Sequence, residues 1–180
     1  MKTKTFYTLE KVEVGIFYYS KSSELNPLIE KDLRLMGFSK NTDNNNVNAF
    51  LTTEFKSNFS QSLKQIEIYI LECVEKYNQK ITGGYVKNPS ITSMWAALYQ
   101  KNNFTESHKH MPNTYSFVYF VRSEKKHSPL KFDNSLFSFS GKPGDLIIFP
   151  SHIWHSVPKQ KIMSQRITLI GNIKYDSVGF

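Results

Sequence analysis

The chain has 180 residues, 39% of them hydrophobic and 14% aromatic, with a single cysteine, Cys73. That length fits one domain with enough apolar material for a sizeable core. It excludes an internal disulfide framework, and no apolar run is long enough to span a bilayer. The formal charge of +8 is uneven: residues 1–90 carry 12 basic against 10 acidic side chains, and residues 91–180 carry 11 against 5. The C-terminal half is therefore the basic one, which fits either a solvated surface or attraction of an anionic ligand.

The first residues, Met1-Lys2-Thr3-Lys4-Thr5, lack an apolar leader core, so a cytoplasmic location is expected. In chain order, strands are expected at 12–19 and 47–52. Between them a helix is predicted over 25–36, with Pro27 in its first turn and Gly37 past its end. The polar stretch 41–46 reads as a loop. The best helix is 58–78: Phe59, Leu63, Ile66, Ile70, Cys73, Val74 and Tyr77 recur at three- and four-residue steps and form one apolar stripe. Asn58, with Gln61 three residues on, is its expected cap, and Cys73 on the stripe reads as packing.

After Ser90 the texture changes. Short β-branched and aromatic runs are predicted as strands at 93–99, 115–122, 136–140, 145–150, 153–157 and 166–173. Turns such as Gly141-Lys142-Pro143-Gly144 separate them. Helices followed by many short strands predict an α+β domain over 1–180. Residues 1–90 would supply N-terminal support, and 91–175 an antiparallel sandwich or jelly-roll β core.

That β half holds the chemistry. His108 and His110 stand at i and i+2 before the run at 115–121, a spacing that puts two ligands on one strand face. His155 must come from another strand, which a jelly roll can bring close. Three ligands on one side of an ion leave the other side open to cosubstrate. Imidazole suits iron, zinc and copper alike, so ligand type does not choose the metal. His152 competes with His155, which is favoured because Ser156 and Val157 continue a strand after it. His127, after Glu124-Lys125-Lys126, reads as a solvated turn residue. Arg166 opens the last strand, whose period places Arg166, Thr168, Ile170 and Asn172 on one face. A buried guanidinium needs an anion, and a carboxylate matches its fork. On the strand at 93–99, Trp95, Ala97 and Tyr99 share a face, and the small Ala97 leaves room in a pocket.

Two blocks carry a family resemblance. One is His108-Lys109-His110-Met111-Pro112-Asn113 leading into Tyr115-Ser116-Phe117-Val118-Tyr119-Phe120. The other is Gly144-Asp145-Leu146 through Phe149-Pro150-Ser151 to His155, then Arg166-Ile167-Thr168. Together, over roughly residues 93–173, they resemble iron(II)/2-oxoglutarate-dependent oxygenases, in the branch of small bacterial and phage proteins related to prolyl hydroxylases.

The resemblance implies a double-stranded β-helix (jelly-roll, cupin-like) core with N-terminal helices packed on it. It implies His108, His110 and His155 as ligands of Fe(II). Arg166 would bind the distal carboxylate of 2-oxoglutarate, with Thr168 and Tyr99 assisting. The implied reaction is hydroxylation of a substrate by O2, with release of succinate and CO2. Peptidyl or free amino acids are the favoured substrates and nucleic acid the second-ranked one. Asn113, Trp95 and Asn172 are candidates for lining the substrate pocket. His110 departs from the superfamily, which usually has a carboxylate there. The alternatives are a three-histidine oxygenase that uses no 2-oxoglutarate, a structural zinc site, and a non-catalytic metal- or nucleic-acid-binding β-domain.

Overall fold

A computed structural model describes residues 12–42, 46–83, 88–133 and 135–175. The elements in order are β1 (Gly15–Tyr18), α1 (Ser22–Met36), β2 (Ser39–Lys40), β3 (Val47–Asn48), β4 (Phe50–Leu51), a 3₁₀ turn (Ser57–Phe59) and α2 (Gln61–Thr82). They continue with β5 (Pro89–Tyr99), β6 (Phe104–His108), β7 (Tyr115–Arg122), β8 (Leu130–Phe132), β9 (Ser138–Phe139), β10 (Asp145–Pro150), β11 (His155–Val157) and β12 (Arg166–Tyr175). Part of the expected loop at 41–46 lies outside the described residues.

The strands form two antiparallel sheets. The larger has the order β1-β10-β7-β12-β5-β4-β2, and the smaller β3-β6-β11-β8-β9. Neighbours from distant parts of the chain, such as β12 between β5 and β7, make this a jelly-roll double-stranded β-helix with two helices on one side, as expected.

The larger sheet is apolar on both faces because both are covered. One face presents Met94, Ala96, Leu98, Phe117, Tyr119, Leu146, Ile148, Ile167 and Leu169 to the helices. The other presents Ala97, Tyr99, Val118, Phe120, Ile147 and Phe149 to Leu130, Phe132 and Val157 of the smaller sheet. This explains why β7 reads as a nearly continuous buried run rather than an alternation.

Helix α1 buries Leu25, Ile29 and Leu33 at four-residue steps, and α2 buries Leu63, Ile66, Ile70, Cys73, Val74 and Tyr77. Each large apolar side chain so buried contributes about 1.5–3 kcal/mol. The helix bounds differ from expectation. Ser60, in an extended conformation, accepts the Leu63 N–H at 3.2 Å and caps α2; Asn58 instead belongs to the 3₁₀ turn before it. Helix α2 runs on to Thr82 and stops at Gly83, whose φ of 70° suits a residue without a side chain. Helix α1 starts three residues earlier than expected, so Pro27 lies inside it, on an exposed face. Asn26, buried beside it, donates to the Val121 carbonyl at 2.8 Å and accepts from the Tyr119 hydroxyl at 2.6 Å, tying the helix to β7.

The strand expected over 136–140 shrinks to Ser138–Phe139, and that over 153–157 to His155–Val157. The expected strand 47–52 divides into two that join different sheets. No helix among the described residues is long and apolar enough to cross a membrane.

Candidate metal centre and cosubstrate pocket

His108 ends β6 and His155 begins β11; the two are direct cross-strand partners, so their side chains leave the sheet on the same face. His110 lies past the end of β6, in the turn before β7, and not on the strand with His108. The turn still brings its ring in: ring centroids are 4.4 Å apart for His108 and His155, 4.9 Å for His108 and His110, and 5.1 Å for His110 and His155. One ring nitrogen from each histidine lies within 4.8 Å of the others. Imidazole nitrogens bind such metals at about 2.1 Å, so side-chain shifts of about 1 Å or less would close the cluster on an ion.

The chemistry of these donors fits a metal. The His108 Nδ1 lies 2.9 Å from the Glu106 carbonyl, and the His155 Nδ1 lies 2.9 Å from the Ile153 carbonyl. A carbonyl can only accept, so each Nδ1 carries the proton and each Nε2 keeps its lone pair for a ligand role. Burial holds all three rings neutral. It pushes His110 down to about 3, helped by the neighbouring His155 and His108, and His155 down to about 4, helped by His108. His108 is lowered by the same burial. Phe149 packs edge-on against His155, and Trp95 packs against His110.

Arg166 is the largest fully buried side chain, 1% exposed. Its Nη1 donates to the Ser128 carbonyl at 2.7 Å, and its guanidinium carbon lies 5.3 Å from the Tyr99 ring centre and 5.0 Å from that of Phe120. Its Nε has no partner, and no salt bridge to it exists among the described residues. Thr168, Ile170 and Asn172 follow on the same face, as the strand period predicts, opposite Tyr99, Ala97, Trp95 and Ser93 of β5. The Tyr99 hydroxyl pairs with Thr105 at 2.7 Å, and burial pushes it above its ordinary pKa, so it stays a protonated donor.

These groups share one small cavity of about 50 Å³. Arg166, Thr168 and Tyr99 line it together with His108, His110 and His155, and Ala97, Val118, Leu130, Val157 and Ile170 supply apolar wall. A broader outer cavity of about 400 Å³ adjoins it at His108, His110 and Trp95, and is also lined by Thr52, Glu54, Lys109 and Asn172. Trp95 thus stands between the two. Asn113 lines neither: its amide donates to the His110 carbonyl at 2.8 Å and accepts from Thr92 at 3.1 Å.

His152 is exposed and outside the cluster. His127 corrects the expectation of a solvated turn. It is 5% exposed, its Nδ1 accepting the Glu124 N–H at 2.8 Å and its Nε2 lying 3.1 Å from the Ser164 carbonyl. Sequence reading missed Asp133, which accepts from Ser156 at 2.7 Å. Hydrogen bonds from Ser107 and Ser156 outweigh partial burial and hold its carboxyl below the usual range, beside His155 and His108. It also missed Thr105 and Ser128, which orient Tyr99 and Arg166. No local pattern marks either.

Fold and site together define a jelly-roll protein with a three-histidine cluster facing a buried arginine that has no acidic partner among the described residues. A comparison with protein-family models finds no match, and neither does one with curated proteins. Solved structures do match. A Pseudomonas putida prolyl-4-hydroxylase superposes with a TM-score of 0.70 at 14% identity, covering 91% of this chain and 92% of that one. A viral collagen prolyl hydroxylase from Paramecium bursaria Chlorella virus-1, in complex with 2-oxoglutarate, gives 0.66 at 12% identity over 89% and 94%. An oxidoreductase of the 2-oxoglutarate–Fe(II) oxygenase family from Burkholderia pseudomallei gives 0.67 at 10% over 89% and 85%. The chain has the fold of these proteins.

Proposed function

We propose that the chain is an Fe(II)- and 2-oxoglutarate-dependent dioxygenase that hydroxylates a C–H bond, with an amino acid, peptidyl or free, as the substrate. The observation that carries this reading is the buried Arg166, without an acidic partner among the described residues, in the same small cavity as three neutral histidines. A buried guanidinium is costly unless an anion meets it, and a ligand carboxylate would complete it. The matched prolyl hydroxylases, one of them holding 2-oxoglutarate, support the same reading.

In this reading His108 and His155 would hold the metal through Nε2, with His110 as the third ligand. The chemistry supplied by iron, 2-oxoglutarate and oxygen is oxidative decarboxylation to succinate and CO2, coupled to transfer of one oxygen atom to the substrate. The chain's part is to bind, orient and shield. Arg166 takes the distal carboxylate of 2-oxoglutarate, with the Thr168 hydroxyl beside it. Tyr99 adds a third donor when Thr105 supplies the proton of their shared hydrogen bond. The apolar walls Val118, Leu130, Val157 and Ile170 keep water from the cosubstrate. The outer cavity receives the substrate against Trp95.

Anaerobic titration of the Fe(II)-loaded protein with 2-oxoglutarate tests the proposal. A saturable visible charge-transfer band, lost in His155→Ala, is expected. Bound iron without a band would overturn it in favour of an oxygenase that uses no 2-oxoglutarate, a reading to which the histidine in place of a carboxylate at position 110 also points.

A further inference from the structure

The three histidines are not held in the same way. His108 and His155 each sit on a strand and each have the ring fixed by a hydrogen bond from Nδ1 to a carbonyl two residues back. His110 lies in a turn, and its ring makes no hydrogen bond among the described residues. Its position rests on its backbone. The His110 N–H donates to the Ser151 carbonyl at 2.8 Å, and its carbonyl accepts from the Asn113 N–H at 3.1 Å and the Asn113 amide at 2.8 Å.

The Ser151 anchor leads to Asn172. Ser151, fully buried, pairs through its hydroxyl with Ser116 at 2.7 Å, and the Ser116 hydroxyl donates to the Asn172 Oδ1 at 2.9 Å. Ser116 has one proton, so the direction of the path is fixed: Ser151 donates to Ser116, and Ser116 to Asn172. The other anchor, Asn113, accepts through Oδ1 from the exposed Thr92, whose single hydroxyl proton also lies within reach of the Asn172 backbone carbonyl at 3.2 Å, so this arm does not depend on the Asn172 side chain. Asn172 is 6% exposed, and its amide donates to Ser93 at 3.1 Å. Among the buried members, Ser151, Ser116 and Asn172, each unmet partner is costly, so the path between them is held in one arrangement.

We infer that Asn172 is a positioning residue for His110, setting that ring's place in the metal centre through Ser116 and Ser151. The inference rests on the proposed metal centre. It gives Asn172 a task besides lining the outer cavity. It also accounts for a fully buried polar pair, Ser116 of β7 and Ser151 just past β10, each 0% exposed.

The test uses Co(II), whose visible d–d bands report ligand number and geometry, added to the full chain. Asn172→Leu leaves the Ser116 hydroxyl without its acceptor. It is expected to weaken Co(II) binding about tenfold, as loss of a supporting partner typically does, and to shift the bands. Ser116→Ala cuts the same path at another point and should do the same, which covers the case of an Asn172 variant that fails to fold. Ser93→Ala removes the other hydrogen bond of the same amide and should leave affinity and bands as in the unaltered protein. Unaltered protein that binds no Co(II) would refute the metal centre and this inference with it. Unaltered protein that binds Co(II), with Asn172→Leu or Ser116→Ala indistinguishable from it, would refute this inference alone. So would a Ser93→Ala variant that shifts the bands equally.

Discussion

Replacing Arg166 with methionine should make the metal-loaded, ligand-free protein slightly more stable while removing its response to 2-oxoglutarate. Taking a guanidinium out of water costs several kcal/mol. Against that cost stand one charged hydrogen bond to the Ser128 carbonyl, about 1.5–3 kcal/mol, and the faces of Tyr99 and Phe120, about 0.5–2 kcal/mol each. Nε has no partner to add. Burial accordingly pushes the guanidinium below its ordinary pKa, with Tyr99 opposing.

Exchange of a buried charge for an apolar group of similar size is neutral or stabilising by about 1–4 kcal/mol. A gain near the low end, about 1 kcal/mol, would raise Tm by about 2–4 °C in a chain of this length. In the unaltered protein, 2-oxoglutarate at about 100 times its Kd should add about 2.7 kcal/mol, or roughly 5–10 °C. Loss of one partner of a buried charge pair weakens binding by about 2–5 kcal/mol, so at the same concentration the variant should keep less than about 1 kcal/mol of that gain. Thermal melts with Mn(II), with and without 2-oxoglutarate, read both numbers. A variant destabilised by more than about 2 kcal/mol that still responds to the ligand would show that Arg166 is a structural group and that the carboxylate binds elsewhere.

Other outcomes are expected from the same geometry. His155→Ala should lose the metal and His152→Ala should keep it, measured by metal content after desalting; the reverse would move the ligand to His152. Metal-free protein should lose stability in acid. His110 and His155 titrate near 3 and 4 when folded but near the ordinary histidine value of about 6.5 when unfolded. Between those values the unfolded chain binds more protons, so stability present above about pH 6.5 falls as pH drops through about 4, by roughly 2 kcal/mol per histidine at pH 5. Urea melts at pH 7.5, 6 and 5 check this, and equal midpoints would refute it. Gly171→Ala should lower the urea midpoint by an amount worth about 1–3 kcal/mol, because a Cβ there meets the Phe117 ring at 2.6 Å and the Ser93 carbonyl at 2.7 Å. An unchanged midpoint would show that the sheet yields at that point.

What could be read early was whatever repeats locally. The stripe from Leu63 to Tyr77 announced α2 because a 3.6-residue period has one physical meaning. The face Arg166, Thr168, Ile170 and Asn172 followed from the period of two, and the register against Tyr99, Ala97, Trp95 and Ser93 agrees with it. Strand β6 was missed because Phe104-Thr105-Glu106-Ser107-His108 is mostly polar; it is a strand because β3 and β11 pair on either side of it. Helix α2's cap was misplaced by two residues, since Asn58 and Ser60 are both good caps and only the 3₁₀ turn decides between them.

By itself the sequence determined the residue types and their order: two close histidines, a third far along, and a lone arginine opening the last strand. Those suffice to name a class of chemistry, because ligand type and strand period are local properties. Tertiary structure decided the rest. It placed His155 opposite His108, brought His110 in from a turn, buried His127 against a carbonyl 37 residues away, and left Arg166 without an acid among the described residues. Each of these depends on which distant strands pair and what they exclude from water, and burial and pairing between segments far apart in the chain leave no periodic mark in either one.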